Sequence, residues 1–502
     1  MNDLETKLRE LANYLKEIEH YTTASNLMYW DMTTGMPEEA AESRAETMSF
    51  MSLQAHRLSI HSRMEEFINF FLEEYDNLDS IHKRMVDQLK KEYDKNKIYP
   101  ESFVKEFSLA TSKGEMAWEK AKNANDFSLF KDSLENIISL TKKSIEYRGF
   151  KDNKYNTLLD DYEAGLTVEK LDIIFNNLKE GIITILDKIK NSSTVIDDVY
   201  LNKTFSIEKQ EKICIDVLNK MGFNFHKGRM DKTEHPYTTN MTNKDVRITN
   251  HYYENNLLSA IYSAIHEGGH GIYEQNIPDS LQGTNLDTAA SMSIHESQSR
   301  FYENIVGKSR AFSKYLYTLI KDEFIEEFKD IDEDVFYNSL NRVCPSLIRT
   351  EADELTYSLH IIIRYEIEKM LINDEITVEE LPKVWNDKYK EYLGVDVPSD
   401  KMGVLQDVHW GGGLFGYFPS YALGNIYGAQ MLHKMLEDIP TVYTEIELGN
   451  LDSVFHWLKT NVHEKASLHD PIDLIKKITG EELNAQYFIE YLDNKYSTIY
   501  KY

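Results

Sequence analysis

Proline is scarce in this chain, and that scarcity limits the folds open to it. There are ten prolines in 502 residues, and only Pro37 and Pro100 precede residue 235. Because proline in a helix interior removes a hydrogen bond and clashes with the preceding turn, long helices are free to form. Apolar residues recur at helical spacing over residues 4–18, 27–32, 38–71, 80–95, 100–123, 127–147 and 167–190. We therefore predict that residues 1–230 form long antiparallel helices with short connections.

One later segment departs from the helical pattern. Residues 234–253 alternate Thr, Val, Ile and Tyr with polar residues, and Asn243-Lys244-Asp245 suits a turn. This pattern predicts a β-hairpin or a small sheet. The edge strand of such a sheet can hold an extended peptide through main-chain hydrogen bonds. An ordinary hairpin on a helical scaffold is the alternative.

Charge and cysteine usage bear on partners and compartment. The formal net charge is −28, which disfavours nucleic acid and anionic membranes as partners. The two cysteines, Cys214 and Cys344, do not make a disulfide framework. Residues 1–20 carry charges along their length and lack the apolar core of a signal peptide, and no stretch approaches the roughly 18 apolar residues of a membrane span. We expect a cytoplasmic protein with no membrane or nucleic-acid partner.

The clearest chemical pattern is His266-Glu267-Gly268-Gly269-His270. Histidines four residues apart lie on one face of a helix, one turn apart, so both imidazoles can reach one metal ion. Glu267 is offset around the helix and can act on a water molecule beside that ion. This is the zinc-peptidase arrangement of two histidine ligands and a glutamate general base. The alternative is a solvated helix face that carries two histidines.

The two glycines inside this motif argue for a functional helix. Each costs roughly 1 kcal/mol in a helix interior relative to alanine. A purely structural helix has little reason to hold both Gly268 and Gly269. A helix that a substrate or another helix must approach closely does have one.

A catalytic zinc needs a third protein ligand and one open position. Glu274 is two turns from His266, too far along the helix axis for one ion. Residues 289–304 read as a second helix that can return alongside the first and offer Glu296. From the residues alone the choice stays open among the other downstream candidates, namely Asp279, Asp287, His295 and Glu296.

Across most of its length the chain resembles the M32 family of metallocarboxypeptidases, the thermostable carboxypeptidase type of bacteria and archaea. The matching segments are HEXXH at 266–270, HESQ at 295–298, DXRXT at 245–249, IRXXAD at 348–353 and GXXQDXHW at 403–410, with a further likeness at 30–31 and 36–37. The family's His-Pro-Phe is His235-Pro236-Tyr237 here. That change keeps the ring and adds a hydroxyl, so it bears on substrate detail more than on activity.

The resemblance implies a mainly α fold, with a deep groove and a small β-sheet at the active-site edge. It implies a single peptidase domain over residues 1–502, in which 1–230 form an N-terminal helical wall and 231–502 the catalytic half with the metal site. The polar loop at 191–202 is the best candidate for a division. A homodimer that releases C-terminal amino acids from peptides with broad specificity is implied. The implied metal is zinc, or cobalt in some members, with Glu296 as third ligand beside His266 and His270.

Peptide hydrolysis also needs a donor for the developing oxyanion. Candidates are His409, Tyr421 and Tyr427, and we prefer His409 because it lies in a family motif. A core histidine beside Trp410 is the alternative for His409. The glycine-rich run at 411–416 indicates a tightly approached backbone, whereas a phosphate loop would end in Lys-Ser/Thr.

An exopeptidase must recognise a free carboxylate, which the planar fork of arginine binds bidentately. We favour Arg349, then Arg247, with Tyr427 as a further substrate contact. Arg364 follows Arg349 in the same region. Buried pairing of either arginine with a nearby acid such as Asp353 or Asp245 is the alternative. Three acids could orient ligands or arginines: Asp245, Asp353 and Asp407.

The sequence therefore predicts a metallocarboxypeptidase acting on peptides with a free C-terminus. Two other functions remain open. One is a metallo-endopeptidase of the oligopeptidase kind, which only a carboxylate clamp separates from the first. The other is a non-catalytic helical peptide-binding scaffold, against which the intact Glu267 argues because a structural zinc does not need it.

Overall fold

A computed structural model describes residues 3–502, so Met1 and Asn2, the first residues of the predicted N-terminal wall, lie outside the described range. The α-helices are α1 Asp3–Thr34, α2 Ala41–Ser59, α3 Ser62–Glu73, α4 Ser80–Lys97, α5 Glu101–Ala124, α6 Ser128–Arg148, α7 Asn156–Leu159, α8 Val168–Lys190, α9 Ile207–Met221, α10 Leu257–Gln275, α11 Met292–Arg300, α12 Arg310–Glu323, α13 Glu333–Leu340, α14 Tyr357–Ile372, α15 Leu381–Leu393, α16 Pro419–Asp438, α17 Val442–Glu447, α18 Asp452–Asn461, α19 Pro471–Thr479 and α20 Gln486–Tyr500. The strands are β1 Gly228–Lys232, β2 Thr238–Thr242 and β3 Asp245–Asn250.

Helix boundaries in the N-terminal region differ from the periodicity in two places. α1 is one continuous helix where the sequence predicted two stretches, because the polar residues between them include no proline or glycine. The single helix predicted for 38–71 is wrong. His61 takes an extended backbone and its side chain accepts from Arg63 N at 3.1 Å, so it ends α2 and caps α3.

The sheet has three strands in the order β1-β3-β2. β2 and β3 form the predicted antiparallel hairpin, with Asn243 and Lys244 in the turn between them. β1 pairs with β3 in parallel, with Gly228 opposite Val246. Sequence reasoning missed β1 because its residues, Gly-Arg-Met-Asp-Lys, show neither alternation nor β-branched side chains.

Three helices pack unusually closely around the metal motif. A Cβ on Gly269 of α10 would lie 2.7 Å from Ser299 Cα of α11. A Cβ on Gly424 of α16 would lie 2.7 Å from Glu296 Cγ, on the other side of α11. The interpretation of Gly269 as a point of close helix approach is therefore confirmed, and α11 lies between two glycine-containing helices.

The buried apolar residues run from α1 to α20 and enclose these helices. The prediction of a mainly helical fold with a small sheet beside α10, the helix that carries His266 and His270, is confirmed. Among residues 3–502, no helix combines the length and apolar character needed to cross a bilayer.

We expect Gly269→Ala to lower the free energy of unfolding, although alanine is the better helix former. The added methyl group would meet the α11 backbone, with Gln298 O also at 2.7 Å, and helix separation at this contact costs about 1–3 kcal/mol. Thermal or denaturant unfolding measures the effect. Gly35→Ala is the control because nothing lies within 4 Å of its added Cβ. Equal stability of the two variants would contradict the close-packing explanation.

Candidate metal centre and active site

Three side chains from two helices converge on one point. His266 and His270 lie one turn apart on α10, and Glu296 comes from α11. Glu296 Oε2 is 3.8 Å from His266 Nε2 and 3.5 Å from His270 Nε2. All three ligand atoms lie within 4.8 Å of one another. The structure thus brings together the two motif histidines and the acid that the resemblance favoured.

The donor set fits a divalent metal ion. Two imidazole nitrogens and one carboxylate oxygen suit zinc and leave a coordination position free for a reactant. Burial, with the neighbouring His295, lowers the pKa of His270 to about 3, which keeps its imidazole in the neutral form that binds metal. The two histidines retain 19% and 13% side-chain exposure, so the cluster is open on one side.

The outer face of the cluster is fixed by Glu303 and Arg300. Glu303 Oε2 accepts a hydrogen bond from His266 Nδ1 at 2.7 Å, which leaves Nε2 of that ring for the metal. Arg300 Nε donates to Glu296 Oε1 at 2.7 Å and its Nη1 to Glu303 Oε2 at 3.2 Å. The pKa of Glu303 falls to about 2 because Arg300 and His266 outweigh its burial.

Sequence reasoning missed Glu303, although a signal was present. Glu296, Arg300 and Glu303 follow the i, i+4, i+7 spacing of one helix face. A π-helical segment, Phe301–Val306, continues α11 and carries Glu303. π-Helical turns occur often at functional sites.

The other acid candidates serve different purposes. Glu274 Oε1 accepts from His295 Nε2 and its Oε2 from Asn240 Nδ2, each at 2.8 Å. The His295 ring stacks on His270 at 4.4 Å between ring centroids, so this pair packs against the three-residue cluster and lies outside it. Asp279 pairs with Lys244, and Asp287 accepts from a backbone amide.

Glu267 lies on the sheet side of α10. Its Oε2 accepts from Thr238 Oγ1 at 2.6 Å. Burial raises the pKa of Glu267, while the Thr238 hydrogen bond opposes that rise. A buried carboxylate with a raised pKa beside three potential metal ligands is a candidate proton acceptor.

The sheet presents different residues on its two faces. Side chains alternate between faces along a strand. Thr238 and Ile248 are paired across β2 and β3, and Ile248 packs towards Gly271 of α10. Arg247 therefore points away from the metal helix. Its guanidinium lies 4.5 Å from the Trp30 ring centre of α1, and Asp245 takes it bidentately.

The outer edge of β2 is partly occupied by α1. Asn26 Nδ2 donates to Asn240 O at 3.1 Å, and Thr23 Oγ1 donates to Met241 O at 3.3 Å. The Tyr237 hydroxyl, the chain's departure from the family pattern, shares a hydrogen bond of 2.6 Å with Thr33. A peptide therefore cannot pair with β2 over its whole length, because Asn26 already occupies the Asn240 carbonyl.

Arg349 belongs to a group contiguous with the metal ligands. Arg300 stacks over Tyr357, whose hydroxyl accepts from Arg349 Nη1 at 3.2 Å. Arg349 Nε and Nη2 both donate to Asp407 Oδ1, at 3.1 and 2.9 Å. The paired acid is Asp407, not Asp353, which caps the turn at Thr356. These bonds use three of the five N–H groups of Arg349 and leave two for a ligand.

His409 lies at the edge of the same group. Its Nε2 is 3.2 Å from the Tyr421 hydroxyl, and Arg349 stacks over the Tyr421 ring at 4.9 Å. Burial lowers the pKa of His409 to about 4, so the imidazole is neutral at neutral pH and can donate one N–H.

The structure does not bring Tyr427 to this site, and the expectation of a substrate contact there is wrong. Tyr427 is fully buried in α16 and its hydroxyl donates to Glu163 Oε1. It has no surface to offer a peptide. Sequence reasoning chose it because the helical register of α16 could not be fixed without knowing that Gly424 faces Glu296.

Comparison with known proteins adds to this geometry. A family model described as carboxypeptidase Taq (M32) metallopeptidase matches residues 10–496. Carboxypeptidase 1 of Bacillus subtilis is 46% identical over 498 residues, with 99% of each chain covered. Thermostable carboxypeptidase 1 of Pyrococcus furiosus is 34% identical over 496 residues, with 98% of each covered. The M32 carboxypeptidase structure from Deinococcus radiodurans R1 superposes with a TM-score of 0.96 at 31% identity, covering 99% of this chain and 100% of that one.

We expect Glu303→Gln to weaken metal binding about 10- to 100-fold, because a carboxylate that holds a ligand histidine fixes its ring and raises its basicity. Competition for zinc with a chromophoric chelator measures the affinity without any need for catalysis. Glu326→Gln, at an 82%-exposed side chain on the surface, is the control. Unchanged zinc affinity in Glu303→Gln would show that the His266–Glu303 bond does not support the ion.

Proposed function

The chain belongs to the M32 family of metallocarboxypeptidases, and on that premise we propose that it removes C-terminal residues from peptides with zinc, or cobalt, at His266, His270 and Glu296. The observation that carries this proposal is the convergence of the three ligand atoms within 4.8 Å beside Glu267. When bound, the metal would act as a Lewis acid that polarises water and the scissile carbonyl.

Glu267 is the proposed general base. Its carboxylate removes a proton from the attacking water and passes it to the leaving amine. The hydrogen bond from Thr238 holds the carboxylate in one orientation, and burial raises the pKa of Glu267 towards the range in which proton transfer is efficient.

His409 is the proposed donor to the developing oxyanion. A neutral imidazole can donate an N–H without carrying a fixed charge into the ground state. The low pKa of His409 supports this protonation state. Its Nδ1 is buried without a partner, so Nε2, which contacts the Tyr421 hydroxyl in the free protein, is the nitrogen that would turn its N–H to the oxyanion.

Arg349 is the proposed clamp for the substrate's C-terminal carboxylate. Asp407 fixes the guanidinium from one edge, and two N–H groups stay available for a bidentate bond. Arg247 is the weaker candidate because its fork is taken by Asp245 and it faces α1. We further infer a broad-specificity, cytoplasmic homodimer in a single peptidase domain, a proposal that rests on composition and on family resemblance.

We expect an N-blocked short peptide with a free C-terminal acid to lose residues stepwise from that end, while its C-terminally amidated twin stays intact. A chelator should abolish the cleavage, and mass spectrometry reads the products. Internal cleavage of both peptides would instead indicate an endopeptidase. If neither is cut after zinc or cobalt is restored, the scaffold function replaces the enzyme.

The same assay decides between the arginines. Loss of a bidentate carboxylate bond in Arg349→Gln should raise the KM of the free-acid peptide about 10- to 100-fold. Arg247→Gln should change KM less. The reverse order would transfer the clamp to Arg247.

We expect Thr238→Val to move the acid limb of the kcat/KM profile to higher pH. The Thr238 hydroxyl stabilises ionised Glu267, so its removal raises the pKa of that carboxyl further, and the base is protonated at a higher pH. A shift of about one pH unit corresponds to the roughly 1.5 kcal/mol of a hydrogen bond to a charged group.

The control is Thr239→Val, since Thr239 pairs with Arg247 and faces away from α10. An acid limb that stays in place in Thr238→Val, or that moves to lower pH, would separate Glu267 from the limb and contradict its role as base.

A further inference from the structure

The buried polar face of α14 has no part in the chemistry proposed above. His360, Arg364 and Glu368 follow one another at four-residue spacing, and all three are fully buried. The Glu368 carboxylate accepts three hydrogen bonds, one from Tyr155 and two from the segment 406–416. Its Oε2 accepts from the Tyr155 hydroxyl at 2.6 Å and from Gly416 N at 2.9 Å, and its Oε1 accepts from Trp410 Nε1 at 2.7 Å.

Arg364, one turn earlier, holds the same loop at its other end. Arg364 Nε donates to Asp407 Oδ2 at 2.7 Å, and its Nη2 donates to Gln406 Oε1 at 3.1 Å. One turn of α14 therefore holds both ends of the segment 406–416. Arg364 bonds to its first residues and Glu368 to its last. His409 lies between these two points.

The 406–416 loop needs such anchors because it has no regular structure of its own. It consists of turns and bends, and Gly413 and Gly416 have φ values of 74° and 90°. Glycine at positive φ is permissive, so the backbone there gains little stiffness from local sterics. Several anchors keep its conformation. Arg364 and Glu368 of α14 hold its two ends, and α5 packs against it at Gly411 and Gly413.

A buried carboxylate is a costly way to make such a contact. Taking a charge out of water is unfavourable, and an apolar side chain of similar volume often gives equal or better stability. Burial raises the pKa of Glu368 to about 7 even with its three donors. Stability alone therefore does not explain Glu368, whereas directional hydrogen bonds to Trp410 and Gly416 fix the position of the loop.

We propose that Glu368 is a positioning residue for peptide cleavage, which acts through Trp410 and Gly416 to hold the loop that carries His409 in place beside the site. This role rests on the proposed function, because His409 is the oxyanion donor only if the chain is a peptidase. Arg364 fixes the other end of the loop independently, by its hydrogen bond to Asp407, the residue that also holds Arg349. Loss of Glu368 therefore affects the chemical step more than binding of the substrate carboxylate.

The test is Glu368→Gln, compared with Glu366→Gln. Glutamine keeps the size of the side chain but turns an NH₂ group towards backbone or indole donors. Glu366 is on the same helix and is a partly buried carboxylate, whereas Glu368 is fully buried. Glu366 pairs with Lys179, Lys388 and Tyr392, away from the loop. Any general cost of neutralising a paired glutamate on α14 appears in both variants.

We expect kcat for the free-acid peptide to fall about 10- to 100-fold in Glu368→Gln, as displacement of a reacting group by about 1 Å can do. KM should change less than about threefold because Arg349 keeps its partner. Hydrogen exchange followed by mass spectrometry should show faster exchange over residues 408–418 in Glu368→Gln than in the wild type and in Glu366→Gln. If Glu368→Gln does not fold, Trp410→Phe should lower kcat in the same direction, because it removes the indole N–H donor, together with part of the ring system, and keeps an aromatic side chain.

Each other outcome overturns the role. Faster exchange with an unchanged kcat would make Glu368 a purely structural residue. A loss confined to KM would show that the loop acts on binding instead. Unchanged exchange over 408–418 would show that Glu368 does not hold the loop. Failure of the wild type to cut the free-acid peptide in a metal-dependent manner would remove the proposed function, and the exchange comparison would still report whether Glu368 anchors the loop.

Discussion

The metal cluster depends on how closely α10 and α11 approach each other. The distance between two packed helices depends on the side chains at their contact, so small residues there bring a carboxylate on one helix nearer to imidazoles on the other. Gly269 removes the side chain from α10 at the contact, and Gly424 does the same for α16 on the far side of α11. The helix-propensity cost of these glycines therefore accompanies the close contacts of α11, the helix that carries Glu296. Interiors packed to this density transmit small displacements, so the distances among the three ligands are set by the packing of whole helices.

Charge is the second constraint, because the site buries many ionised groups at once. Removing one partner from a buried ion pair costs about 3–5 kcal/mol, since the other is left unpaired. Here the charges form a connected series in which Arg300 joins Glu296 to Glu303, and Tyr357 links Arg300 to Arg349. Asp407 then lies between Arg349 and Arg364, which hold its pKa well below the usual range. The metal side and the proposed clamp side are thus parts of one polar network.

The sequence was informative wherever function and helical periodicity coincide. His266 and His270 were recognisable because a fixed spacing of four puts both on one helix face. The prediction that Glu296 lies close to them relied on the family resemblance. The residue spacing within two helices does not predict the path of the chain between them. Thr238 and Glu303 were missed for related reasons. Thr238 depends on which face of a strand meets α10. Glu303 shares a helix face with Glu296, but only the packing shows that this face meets His266.

The error at Tyr427 and the uncertainty at Arg247 have a common physical origin. Both residues lie close in sequence to functional groups, yet their side chains point away from the metal, into the core for one and towards Trp30 for the other. Which way a side chain points depends on how its helix or strand is rotated about its own axis. Only the residues packed against that element determine the rotation. The same limit applies to the irregular 406–416 loop, because no regular residue spacing predicts its conformation. Its position depends in part on α14, where the buried Arg364 and Glu368 form hydrogen bonds with the loop. Regular helices therefore carry the metal ligands with a spacing that can be read directly, whereas the groups proposed to meet the substrate are positioned by distant polar side chains.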